Sequence, residues 1–493
     1  MKRNAVEREN AVTIEAGPAH WQILQQEEKG VASVVLAGRW WTIMRRNKPI
    51  VRVRLVREGG FTAINDNLDW TTAKTTLDRS VKGREAGKCG SWKLTLRNIP
   101  RGGPYRLETC VGTAADAIEW CRRGDMVHHL GVGDVWLIAG QSNAAGCGRD
   151  PIDDLSAMGV HMFAADGRWK LAAHPLNDAT GSRYAHNRGG GVAGHSPWLA
   201  FAKQLEQELG YPIGLIPTAQ GGSAIAQWDP GQKGVLFDSM KRCLKDSGGG
   251  IRGCLWYQGE SDVGASDHPK YKVRFARFLE GLRRVARRPQ LPVITVQVNR
   301  ALGPREDGAG WEAIRELQRQ LSHELDGVFV IPIFEAGLCD GIHIGSLGNL
   351  LIAQRAAATA LGGVYGRDIP YKHPECVAAR RISGKVIDLR FDNVVERLDY
   401  ECAVSNGFPF AVRDSEGAAP IAGYKLPRRT VLRILLARPL AGPATVTGAP
   451  GTCPPQIVPR DINGYRAMLG FTLDVKGRDS SPKVLPKVKD CTL

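Results

Sequence analysis

The sequence predicts an α/β protein: a mainly parallel sheet covered by helices on both faces, with a β-rich region on either side. Three observations carry that expectation. Between about residues 131 and 365, short apolar runs alternate with amphipathic stretches, the pattern of doubly buried strands joined by helices. Before that span the apolar runs are short and separated by Gly, Pro and Asn, and after Pro370 they are short again. The chain has 493 residues, enough for two or three domains. The expected division is 1–130, 131–365 and 366–493.

In the first region VASVVLAG, IVRVRLVRE, SWKLTLRN and PYRLETCV are strand-like. IVRVRLVRE alternates apolar with basic residues, as a half-exposed strand does, and the region is expected to form a sandwich. The middle region opens with the strand VWLIA. A long polar segment follows, then helix-like PWLAFAKQLEQEL. The strands YPIGLIPTA, CLWYQG, PVITVQV and VFVIPI then alternate with the helices GVLFDSMKRCLKD, PKYKVRFARFLEGLRRVARR, WEAIRELQRQLSHEL and LGNLLIAQRAAATAL. In the third of these helices Trp311, Ile314, Leu317, Leu321 and Leu325 recur at helical spacing. KVIDLRF, TVLRILLA and GPATVTG are the strands expected of the last region. The tail SSPKVLPKVKD is basic and Pro-bearing, and is expected to be loosely ordered.

Composition narrows the function classes. Hydrophobic residues make up 43% and charged residues 24%, the profile of a folded globular protein. No apolar stretch approaches the roughly 18 residues that span a bilayer. The start MKRNAVERENAV has no apolar core of a signal peptide. The expected location is therefore cytoplasmic for the chain as it stands, or secreted or periplasmic if a signal has been removed. Net charge is +16 and the pI near 9.4. Lys and Arg are scattered from end to end with no dense, aromatic-interleaved run, which argues against nucleic acid; the basic balance fits a merely solvated surface first and an acidic glycan second. The 11 cysteines are odd in number and contain no CxxC, which argues against a zinc ribbon and a disulfide framework. Cys110 and Cys121 can face each other across a hairpin. The simpler expectation is free, mostly buried thiols.

The chemistry concentrates at strand ends, where α/β proteins place it. DVWLIAGQSN puts Ser142 where the first strand of the sheet stops, although a Ser there also suits a helix cap. Ala144 breaks the GxSxG elbow, so another serine-hydrolase architecture is needed. In CDGIHIGSLGN, Asp340 and His343 lie three residues apart on a turn between the last strand and the last helix. The His suits a proton acceptor, and the Asp suits a group that fixes its tautomer. Gly221 in TAQGGSAIAQW lets a bare N–H approach a developing oxyanion. Gln258 in WYQGESD offers a side-chain amide to the same mouth.

The blocks GDVWLIAGQSN, GLIPTAQGGSAIAQW, WYQGESD and DGIHI, in this order, resemble those of the SGNH hydrolase superfamily. They are closest to its sialate O-acetylesterase-like branch, which also holds acetyl xylan esterases. The resemblance covers about 131–365. It implies a three-layer α/β/α, flavodoxin-like core, and accessory domains for the flanking β regions. It implies Ser142 as nucleophile, His343 as general base and Asp340 as the residue that orients it. The backbone N–H groups of Ser142 and Gly221, with the Gln258 amide, become the oxyanion hole; Ser223 fixes the register at Gly221. No metal or other cofactor is implied, and the expected partner is an acetylated carbohydrate. Two departures concern the pocket: Ala144 stands where Met is common, and Ile344 where Pro is frequent.

Other candidates carry less. Glu260 and Asp262 suit supporting positions better than acid–base roles. His186 and His195 lie in a Gly-rich loop long enough for a flap, without carboxylate or Cys partners at ligand spacing in sequence. Trp228 and Trp256 suit core positions better than a sugar platform. The rival readings are an esterase for short non-carbohydrate esters and a glycan-binding protein without activity.

Overall fold

The computed structural model describes residues 11–42, 48–79, 88–186, 194–302, 308–401 and 407–477. The opening MKRNAVEREN, the tail SSPKVLPKVKD and part of the Gly-rich loop before His195 lie outside the described residues.

The central sheet is parallel. Its spatial order is Val160–Phe163, Ile213–Pro217, the second half of Arg122–Gly140, Gly253–Tyr257, Val293–Val296 and Val328–Ile331. Trp169–Leu171 adds an antiparallel edge. The first of these strands in sequence lies inside the sheet, so the chain winds outward in one direction and then in the other. The crevice at such a reversal is where sheets of this type bind ligands.

Six helices alternate with these strands: α1 (Ser142–Ala145), α2 (Pro197–Leu209), α3 (Val235–Ser247), α4 (Tyr271–Ala286), α5 (Gly308–Glu324) and α6 (Ser346–Thr359). α2 shows why the boundaries fall where they do. The Ser196 hydroxyl accepts from the Trp198 N–H at 3.4 Å, Pro197 opens the helix, and Gly210 closes it at φ +72°. α4 begins only at Tyr271 and stops at Arg287, which adopts φ +53°, so it is shorter than PKYKVRFARFLEGLRRVARR suggests.

The alternation seen in the sequence thus forms three layers. On one face Trp198, Phe201 and Leu205 of α2 and Ile352 and Ala356 of α6 pack against Trp136 and Ile138 of the sheet. On the other, Phe237 and Met240 of α3, Phe275 and Phe278 of α4 and Ile314 of α5 pack against Val135 and Leu137. Alternate residues of VWLIA therefore feed opposite cores, the reason the run is apolar throughout.

The N-terminal region is a sandwich. Val31–Thr42 pairs with Lys88–Pro100 in one sheet. Ile50–Arg57 pairs with Gly102–Gly112 in the other. Leu36, Trp40 and Trp92 meet Val51, Val53 and Leu107 in a shared core. The expected boundary at 130 and 131 falls inside a single 19-residue strand, Arg122–Gly140. Its first part pairs with Gly102–Gly112, and its second part enters the parallel sheet. In the fold Gly133 permits contact: a Cβ there would lie 1.8 Å from the Pro212 carbonyl oxygen.

The C-terminal region is also β. Glu375–Ser383, Val386–Asp392 and Val431–Leu436 form antiparallel neighbours, and Ala444–Gly448 pairs with Phe471–Lys476. Phe391, Phe410, Leu432 and Phe471 fill its core. Among the described residues no helix is long and apolar enough to cross a membrane.

Candidate active site

The site is built on the strand that joins the sandwich to the sheet. Gly140 ends that strand at φ +124°, and a Cβ there would sit 2.2 Å from the Tyr257 carbonyl oxygen. Only glycine fits this left-handed, close-packed position. The Gln141 N–H then donates to Tyr257 O at 2.9 Å, and α1 opens with the partly exposed Ser142. The first N–H groups of a helix have no intrahelical acceptor, so that of Ser142 is available to a ligand. Gln141 Oε1 accepts from the N–H groups of Gly259 and Ser261 at 3.4 and 3.3 Å. These bonds fasten the Ser142 corner to the loop after the neighbouring strand.

Asp340 and His343 form a closed turn. His343 Nδ1 lies 2.7 Å from Asp340 Oδ2, while Asp340 Oδ1 accepts from the N–H groups of Ile342 and His343 at 2.9 and 2.8 Å. Partial desolvation pushes the Asp340 carboxyl upward. The His343 hydrogen bond and the two backbone donors outweigh it and hold the group at about 2. Asp340 is therefore an anion at neutral pH. It accepts the Nδ1 proton, which leaves Nε2 free to take one. Arg149, half-exposed, places its guanidinium 3.6 Å from the same Oδ2.

Asn143 joins the two halves of the site. Its Oδ1 accepts from the Ile344 N–H at 3.0 Å, and its Nδ2 donates to Ile342 O at 3.4 Å. The residue after the serine thus grips both neighbours of the histidine across 199 to 201 positions of chain. Asn143 Nδ2 also donates to Glu260 Oε1 at 2.8 Å. Burial raises the Glu260 carboxyl above its ordinary value, and its Oε2 has no partner. Glu260 supports the clamp rather than reaching the mouth. The clamp role of Asn143 and the position of Arg149 have no signature in spacing. The polar block QSN was the one available sign of the former.

The oxyanion candidates differ. A Cβ on Gly221 would lie 3.9 Å from the Ser142 Cβ, so this backbone stands beside the serine. The Gln220 N–H bonds Gly140 O at 2.9 Å and holds the segment there. Gln258 is fully buried. Its Nε2 lies 2.5 Å from Asp262 Oδ2, 3.1 Å from Ser223 O and 3.3 Å from Gln141 Oε1. Its two N–H groups therefore serve internal acceptors. Asp262, raised by burial, also accepts from the Ile225 N–H at 2.8 Å.

The weaker candidates separate clearly. Trp228 and Trp256 are wholly buried and meet edge to face at 5.5 Å, as core residues. His186 is buried with Nδ1 2.8 Å from Ser239 Oγ. His195 gains the carboxylate partner that sequence spacing did not show. His195 Nε2 and His174 Nε2 lie 3.2 and 2.9 Å from Asp154 Oδ2, and Lys203 Nζ lies 2.8 Å from Oδ1. These three metal-type ligands converge within 4.8 Å. His174 Nδ1 accepts the Ser196 N–H at 3.3 Å, so its proton sits on Nε2 and points at Asp154. That tautomer suits a hydrogen-bonded knot and opposes ligation through Nε2.

The family model described as "SASA: Carbohydrate esterase, sialic acid-specific acetylesterase" matches residues 132–362. A probable carbohydrate esterase of Arabidopsis thaliana is 31% identical over 207 residues, which cover 37% of this chain and 74% of that protein. The human sialate O-acetylesterase is 24% identical over 275 residues, 46% of this chain and 50% of that one. The match spans half the length of the human and Pongo abelii sialate O-acetylesterases, and less than a third of the rat and mouse ones. In fold it is similar to a carbohydrate acetylesterase from Xanthomonas citri, with a TM-score of 0.63 at 21% identity, over 94% of this chain and 100% of the other. With 31% identity over 74% of that Arabidopsis relative, the chain belongs to the carbohydrate esterase family.

Proposed function

We propose that this protein is a metal-independent serine O-acetylesterase acting on an acetylated carbohydrate, with residues 131–365 as its catalytic unit. The observation that supports it most is the Asn143 clamp. It ties the Ser142 segment to both neighbours of a histidine whose other nitrogen is held by an ionised Asp340. In this reading Ser142 Oγ attacks the acetyl carbonyl and His343 Nε2 takes its proton. Asp340 holds the Nδ1 proton and stabilises the imidazolium. The N–H groups of Ser142 and Gly221 receive the oxyanion. Gln258 joins them by exchanging its bond to Ser223 O for the substrate oxygen. His343 then protonates the departing sugar oxygen, and a water activated by the same imidazole clears the acetyl-serine.

The test is acetate release from a panel of defined acetylated glycans, with Ser142→Ala alongside. The wild type is expected to release acetate from at least one. The variant is expected to fold normally and to lose turnover by orders of magnitude. Full activity in the variant would remove the assigned nucleophile.

A further inference from the structure

The outer face of the second sandwich sheet presents features that the esterase reading leaves unused. Phe61 and Trp120 are each 82% exposed. Both border the same face. Arg52 and Arg54 project together from Ile50–Arg57, two residues apart on one strand. Arg54 Nη1 donates to the Phe61 carbonyl at 3.1 Å. Arg52 donates to Thr113 O at 3.2 Å and reaches Cys121 Sγ, next to Trp120, at 3.5 Å.

Between them lies Trp70. The guanidiniums of Arg54 and Arg123 stand 4.6 and 4.5 Å from its ring centroid. On this sheet face Arg52, Arg54, Arg106 and Arg123 meet one carboxylate, Glu108, which pairs with Arg54 and Arg106 at 2.8 and 2.7 Å. Among the described residues, no carboxylate pairs with Arg52 or Arg123. Two protruding rings thus flank a strip with surplus guanidinium charge.

We propose that this face is a second carbohydrate-binding site, separate from Ser142, that takes an oligosaccharide bearing carboxylates. Pyranose rings lay their C–H faces on Phe61 and Trp120, and Arg52 and Arg123 receive the carboxylates in fork geometry. The glycan is chosen over nucleic acid because the arginines are few and dispersed, and because this inference rests on the carbohydrate esterase reading of the adjoining sheet.

The test is calorimetric titration of the full chain with hexagalacturonic acid, cellohexaose and a single-stranded DNA hexamer. The wild type is expected to bind hexagalacturonic acid at least about tenfold more tightly than the other two. Phe61→Ala with Trp120→Ala, both at exposed positions, is expected to weaken it at least about tenfold. Arg52→Gln with Arg123→Gln removes the preference for the acidic chain. Aryl acetate turnover stays within about twofold of wild type in all these variants. No binding of hexagalacturonic acid by the wild type, unchanged binding by the aromatic variant, or equal binding of DNA overturns the proposal. Binding that persists in a protein releasing no acetate sinks the esterase reading instead and leaves this site standing.

Discussion

The two β regions meet the catalytic sheet in opposite ways. On the N-terminal side the join is backbone. Arg122–Gly140 pairs with the sandwich strand Gly102–Gly112 at one end, and with Ile213–Pro217 and Gly253–Tyr257 at the other. Ile23–Gln25 runs parallel beside it at the crossing. On the C-terminal side the join is made mostly by side chains, beside a backbone bond from the Ala301 N–H to Thr452 O at 3.1 Å. Arg315 of α5, 1% exposed, donates to the carbonyls of Val298, Asn299, Ala449 and Gly451. Gln297 exchanges two 2.9 Å hydrogen bonds with the backbone of Gly470, and Arg319 pairs with Glu375. Ser142 therefore takes its position directly from the strand it shares with the sandwich. The C-terminal region reaches the catalytic unit through α5, through the segment from Gln297 to Ala301, and through Phe334, which lies in its core.

This contrast can be broken at either join. The largest effect on stability is expected at the side-chain join. Arg315→Ala leaves four carbonyls, three of them buried, without this donor and should cost about 3–5 kcal/mol, read as a fall in denaturation midpoint by tryptophan fluorescence. The folded fraction should keep its turnover within about twofold. A cost below about 1 kcal/mol would mean that Arg315 does not fasten the two units.

The backbone-fastened side should respond in rate. Gln258→Ala removes an oxyanion donor and the internal bonds to Asp262 and Ser223, with an expected 100- to 1000-fold loss in turnover, about 3–4 kcal/mol. Unchanged turnover would take Gln258 out of the mechanism. Gly140→Ala forces a Cβ against Tyr257 O at positive φ and displaces the serine corner. About a 100-fold loss in turnover, with a lowered midpoint, is the expected result. A loss of stability alone would show that the corner is not positioned by this strand.

The smallest effect sharpens the comparison at the rim. The folded-state Asp340 carboxyl, near 2, lies below the ordinary aspartate value of about 4. A depressed carboxyl adds stability that is complete above the unfolded value and disappears as pH falls through the folded one. The stability gap between wild type and Asp340→Asn should therefore close between about pH 4 and pH 2. A gap that stays constant over that window would deny the His343 and backbone bonds their role.

Much of the core was legible in the sequence for a local reason. VWLIA is apolar at every position because its alternate residues enter both cores. PWLAFAKQLEQEL carries its own cap and stop in Ser196 and Gly210. Asp340 and His343 were legible as a pair because three residues on a turn bring them together without help from the rest of the fold. Other features depend on distant chain. The change of apolar pattern suggests a boundary at 130 and 131, yet one strand runs through it, with Gly131 and Gly133 packed against Pro212. The Asp154 knot gathers His174 and His195 from 20 and 41 positions away, and no local spacing records that.

The sequence by itself determined the alternation of strands and helices, the strand ends that carry polar blocks, and the family, because these follow from side-chain periodicity and short motifs. Only the tertiary structure decided that one strand serves both sandwich and sheet, that Asn143 clamps the histidine turn, and that Gln258 lies buried among internal acceptors. Those outcomes depend on which strands become neighbours. Strand neighbours are set by the packing of whole faces, and no single segment of the chain encodes them.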